Sequence, residues 1–166
     1  FLNGYDVGWV DDEYVSQPDI LLTYWPSVGE SYPYYGSAFM FVNYFLNRFG
    51  EEATKALVSS PENGLASVDK VLFSLGEKDV RTGEVITADD VFADWVIANY
   101  LNDLSFENGR YGYSNFPNAP KPGLTEIAYS CPMDWQVRTV SQYGVDYIGI
   151  DCQGAYTLEF QGAGKV

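Results

Sequence analysis

Carboxylates and aromatic rings are the chemical means this sequence carries, and imidazole is absent: none of the 166 residues is histidine. A zinc centre of the H-E-x-x-H type and most serine or cysteine hydrolases depend on that ring, so neither can be assembled from these residues. Acid/base work by two carboxylates needs no histidine, and Asp90 and Asp94 stand one helical turn apart. The plainer reading, which we adopt, makes Asp90 a helix-start acid that complements the macrodipole and Asp94 a solvated or hydrogen-bonded neighbour. Asp6, Asp11, Asp12 and Glu13 offer the hard oxygen ligands that calcium favours, yet their spacing is not that of an EF-hand, and a solvated loop is the alternative. Tyr32, Tyr34 and Tyr35 cluster where they could stack on a sugar or a peptide, or pack at the rim of a core. No phosphate-cradling glycine pattern and no G-x-S-x-G elbow occurs.

Two cysteines, Cys131 and Cys152, do not make a zinc site without a second pair. Bridged, they would close about twenty residues and restrain the unfolded chain by roughly 3 kcal/mol, which implies an oxidising compartment. Two free buried thiols are the alternative. Acidic residues number 23 against 9 basic, a formal charge of -14, and this disfavours phosphate backbones and anionic lipid as partners. The charge serves solubility, or some of it holds calcium. With 46% hydrophobic and only 19% charged residues, the chain can bury enough apolar surface to fold. No stretch reaches the roughly 20 apolar residues of a membrane span, and no leader pattern opens the sequence.

The elements that must position these groups are mostly helical. Residues 1–32 read as a turn-rich loop with one short helix. Residues 34–49 are apolar on nearly all sides, which predicts a central helix, and Gly50 supplies its stop. A second helix comes next over 51–59, and Pro61 breaks it. Val68, Val71, Leu72 and Leu75 fall at i, i+3, i+4 and i+7 and mark a third. Thr87 is the expected N-cap of a fourth helix that runs to about Asn102 with Val91, Trp95 and Ala98 on one face. The long glycine- and proline-bearing stretch 103–123 reads as a boundary. Beyond it the period becomes two, in 135–139, 145–150 and 156–160, predicting strands.

Three segments carry a resemblance. Tyr35-Gly36-Ser37-Ala38-Phe39-Met40-Phe41-Val42-Asn43-Tyr44-Phe45-Leu46-Asn47-Arg48-Phe49-Gly50-Glu51-Glu52-Ala53, then Leu57-Val58-Ser59-Ser60-Pro61, then Phe92-Ala93-Asp94-Trp95-Val96 are similar to secreted bacterial zinc metallopeptidases of the gluzincin kind, immune inhibitor A-like and hyicolysin-like. In that family a tyrosine-glycine helix succeeds the zinc-binding helices, and a helix with an F-x-D-W-like core closes the helical half of the catalytic domain. Phe1-Leu2-Asn3-Gly4-Tyr5-Asp6 resembles the segment just after the helix that bears the third zinc ligand. The resemblance covers residues 1–115 and implies that the H-E-x-x-H helix and the downstream glutamate precede Phe1. It also implies a tyrosine that donates to the oxyanion of the tetrahedral intermediate. Tyr35 matches by position, with Tyr34 and Tyr32 as rivals and helix-start packing as the plain alternative.

These readings give an α+β chain. Residues 1–117 form a mainly helical subdomain of about four helices, and 118–166 form a short antiparallel β segment, the start or part of a β-sandwich. The expected function is that of the C-terminal portion of a secreted zinc endopeptidase. It would wall the substrate cleft, need the upstream half of the same polypeptide for its zinc, act on protein or peptide substrates there, and be inert alone. The alternatives are a non-catalytic extracellular module binding carbohydrate or protein through the aromatic loop 106–116, and a peptidase-like scaffold without its metal motif.

Overall fold

Four α-helices and one short sheet make up the computed structural model, which describes residues 8–27 and 29–162. α1 (Val10–Ser16) crosses the first half of α2 (Tyr32–Ser59), and α3 (Leu65–Leu75) and α4 (Ala88–Leu101) pack against the rest. A short 3₁₀ turn, Glu107–Gly109, lies in the stretch after α4. α2 is two helices joined at a kink: Gly50 adopts φ 81°, ψ -178°, the break its sequence announces, and the chain then turns helical again.

The crossing of α1 depends on Gly36. A Cβ there would overlap the carbonyl of Val10 and come within 2.9 Å of the Tyr14 Cβ, so only glycine lets the two backbones approach this closely. Around the crossing Trp95 is fully buried, stacked on Tyr14 at 5.5 Å and met edge-on by Phe41 at 5.3 Å. Val91, Trp95 and Ala98 turn inward together, as do Val68, Val71 and Leu72 of α3; Leu75, the end of that stripe, is exposed. The start of α4 is fixed by a reciprocal cap: Asp90 N–H donates to the Thr87 hydroxyl at 3.3 Å and Thr87 N–H to Asp90 Oδ2 at 2.9 Å.

The long stretch after α4 is tied to the helices along its length. The Asn47 carboxamide oxygen accepts from Ser114 N–H at 2.9 Å, and its amide donates to the Gly112 carbonyl at 3.1 Å. Asn115 donates to both oxygens of Asn43, and Tyr44 donates to the Arg110 carbonyl at 2.8 Å. Tyr113 is thereby carried into the core.

The β segment is parallel, not antiparallel. β1 (Glu126–Ala128) pairs in register with β2 (Ile148–Ile150), Ile127 opposite Gly149. The connection between them leaves room for the chain to return in the same direction, which a tight hairpin would not allow. Cys131 and Cys152 are disulfide-bonded across that connection. Residues 135–139 and 156–160 are not strands. Trp135, Val137 and Phe160 are exposed there, and alternating side chains make a strand only where a neighbouring strand takes up the backbone groups. Tyr147 joins the segment to α4, donating to the Val96 carbonyl at 2.8 Å and stacking on Tyr100 at 5.4 Å. Tyr143 likewise donates to Asp89 at 2.6 Å.

Candidate functional site: the aromatic end of α2

Pro33 sits in the first turn of α2, where its missing N–H costs nothing, and Tyr35 N–H closes that turn onto the Ser31 carbonyl at 3.0 Å. Each tyrosine of the turn meets a ring from the preceding chain. Tyr32 lies 4.6 Å from Trp9, Tyr34 is edge-on to Tyr24 at 6.0 Å, and Tyr35 is edge-on to Trp25 at 4.6 Å. Successive helical residues point about 100° apart, so the three pairs fan around the helix end. Trp9, Tyr24, Trp25, Tyr32 and Tyr35 each stay roughly half exposed. Rings that pair and still face water form a rigid apolar surface with a polar edge, suited to stacking on a ligand.

An open groove of about 450 Å³ runs beside this surface. Tyr24, Tyr32 and Tyr34 wall it, Gln17 lies along it, and Glu13 and Glu30 add two carboxylates; no lysine or arginine among the described residues lines it. Tyr35 stands outside the groove, its ring against Trp25. Among the described residues nothing accepts from or donates to its hydroxyl.

The acidic run is not gathered into one shell. Asp6 lies outside the described residues. Asp11, Asp12 and Glu13 form the first turn of α1 and diverge: Asp11 is buried, Asp12 is exposed, and Glu13 faces the groove. Among the described residues no three histidine, cysteine or acidic side chains converge as a cation site. Both cysteines are bonded to each other, so the described residues hold no donor set that fits zinc.

Asp90 and Asp94 are each committed elsewhere. Asp90 caps α4, and Asp94 pairs with Arg48 in a short contact. Arg48 also donates to the Tyr44 hydroxyl at 2.9 Å, and burial pushes that hydroxyl up to about 12 against the opposing pull of Arg48. Arg110, almost fully buried, reaches Asp79 at 2.8 Å and Asp94 at 3.5 Å. A lone arginine inside the greasy run 34–49 was the signal for this network, since a charge there must find a partner. Of the loop 106–116, Phe106 is exposed, Tyr111 is half-buried, Tyr113 is buried and Phe116 packs edge-on against Phe39.

Comparison of the chain with family models, with curated proteins and with solved structures finds no match.

Proposed function

We propose that the chain is the helical, substrate-facing portion of a secreted zinc endopeptidase of the gluzincin kind, and that the aromatic end of α2 forms one wall of the peptide cleft. The observation that carries the reading is Tyr35. It stands in the first turn of the helix, directly before Gly36, it is 52% exposed, and its hydroxyl is uncommitted among the described residues, as a donor awaiting an oxyanion must be. Metal and general base would come from the preceding half of the same polypeptide, so the chain alone is inert. The disulfide between Cys131 and Cys152 supports an oxidising compartment.

The test compares the chain with a polypeptide that also carries the preceding sequence, on casein, with and without chelator. The chain alone should be inactive and the longer form active and chelator-sensitive. Tyr35→Phe in the longer form should lower kcat by on the order of 10²–10³, the usual cost of one oxyanion donor, whereas Tyr32→Phe and Tyr34→Phe should not. Cleavage by the chain alone in chelator, or preceding sequence without H-E-x-x-H, defeats the proposal. A non-catalytic extracellular binding module is the second reading; the exposed rings of the α2 end favour it, beside the loop 106–116 with its exposed Phe106.

A further inference from the structure

We infer that the groove beside the α2 end takes a cationic side chain, the lysine or arginine of a bound peptide; the inference rests on the reading of this surface as a peptide-cleft wall and names what that wall selects. Three features converge. The groove is open and, at about 450 Å³, roomy enough for an unbranched side chain, with Tyr24, Tyr32 and Tyr34 among the residues that line it. The Tyr24 and Tyr34 rings meet edge to face, which fixes their orientation, and the faces of tyrosine rings attract ammonium and guanidinium groups. Finally, Glu13 and Glu30 stand at the groove with no basic side chain among the described residues lining it.

The ion pairs among the described residues lie elsewhere: Glu51 with Lys55, Glu62 with Lys70, Asp79 with Arg81 and Arg110, Asp94 with Arg48 and Arg110, and Glu126 with Arg138. Glu13 and Glu30 make no ion pair among the described residues. An apolar side chain would gain from the rings but leave both carboxylates facing it, and an acidic one would be repelled. A cation alone satisfies walls and rim together. Four methylenes of a lysine stem can lie along the rings while the ammonium reaches the carboxylates.

Short capped alanine peptides bearing one lysine, arginine, norleucine or glutamate, titrated calorimetrically into the chain, test this. The lysine and arginine peptides should bind about tenfold more tightly than the norleucine peptide, the glutamate peptide should not bind measurably, and high salt should erase the preference. Glu13→Gln with Glu30→Gln should bring lysine down to norleucine, and Tyr24→Ala should weaken both. Equal binding of lysine and norleucine, or a preference that survives the double glutamine variant with its circular dichroism intact, overturns the inference. The longer polypeptide separates the two readings. If it cleaves peptides without preferring a basic residue, the groove assignment fails and the peptidase reading stands. If it cleaves nothing while the chain still selects lysine through Glu13 and Glu30, the groove stands and the peptidase reading fails.

Discussion

Arg48 of α2 and Asp94 of α4 share one ion pair, and the same carboxylate oxygen lies 3.5 Å from the Arg110 guanidinium. Both side chains of the pair are about nine-tenths buried, so removing one strands the other in a low-dielectric interior. Asp94→Ala should cost about 3–5 kcal/mol, seen as a lower urea midpoint at unchanged slope. Asp94→Leu combined with Arg48→Met should recover most of that loss, because no buried charge is then left at the helix contact and Arg110 keeps Asp79. A single variant within about 1 kcal/mol of wild type would show the pair to be solvent-screened.

That pair also marks where the sequence stops being readable. Local rules gave α4 correctly, because Thr87 and Asp90 are three residues apart and their reciprocal bonds need nothing else. The same holds for the Gly50 break and the Val68, Val71, Leu72 stripe. What failed was non-local. Glu126–Ala128 is a strand only because Ile148–Ile150 comes back beside it, whereas the better alternation at Trp135 and Val137 finds no neighbour. The ties of the stretch after α4 are likewise invisible locally, because its fasteners, Asn43 and Asn47, lie 72 and 67 positions before Asn115 and Ser114. At the candidate site, the tyrosine cluster was visible as a cluster, but Trp9, Tyr24 and Trp25 reach it only through the path of the preceding loop.

Gly36 gives the tyrosine-glycine pair a physical reason, and a prediction. An alanine methyl there meets the Val10 carbonyl and the Tyr14 Cβ, and backbone cannot rotate away as a flexible side chain would. Gly36→Ala should cost about 3 kcal/mol, the upper end for overpacking, lowering Tm by on the order of 10 °C for a chain of this size. Since α1 is the shorter element, it should be the one to yield. Hydrogen exchange should accelerate in Val10–Ser16 and leave α4 protected. A tolerated alanine would mean that α1 sits farther from α2 in solution.

The disulfide should hold the sheet and little else. Cys131 and Cys152 are 21 positions apart, a closure worth about 3 kcal/mol in chain-entropy terms. Between them Trp135 and Val137 are exposed, and Arg138 pairs with Glu126 at 2.8 Å at the surface. Cys131→Ser with Cys152→Ser should therefore speed amide exchange at Glu126–Ala128 and Ile148–Ile150 while leaving α2 and α4 unchanged. Loss of protection in α4 would show instead that Tyr147, through Val96 and Tyr100, couples sheet and helices into one cooperative unit.

Acid should loosen the stretch after α4 before it opens the core. Asp79 accepts from the Arg81 side chain at 2.9 and 3.1 Å, from Arg81 N–H at 2.8 Å, and from Arg110 at 2.8 Å. The Arg81 bonds first, with Arg110 adding to them, hold its carboxyl well below the usual carboxylate range. A carboxyl depressed in the fold stabilises it fully above its ordinary pKa of about 4, and that contribution drains away as pH falls toward the folded value. The urea midpoint should thus decline from about pH 5 downward, and Asp79→Asn should flatten the decline by lowering the plateau at neutral pH. Glu126, lowered by Arg138, titrates in the same direction but sits on β1. Glu126→Gln should alter the acid response of exchange in the sheet and leave that of 103–116 as in wild type. An acid limb that Asp79→Asn does not change would remove Asp79 as the fastener of that stretch.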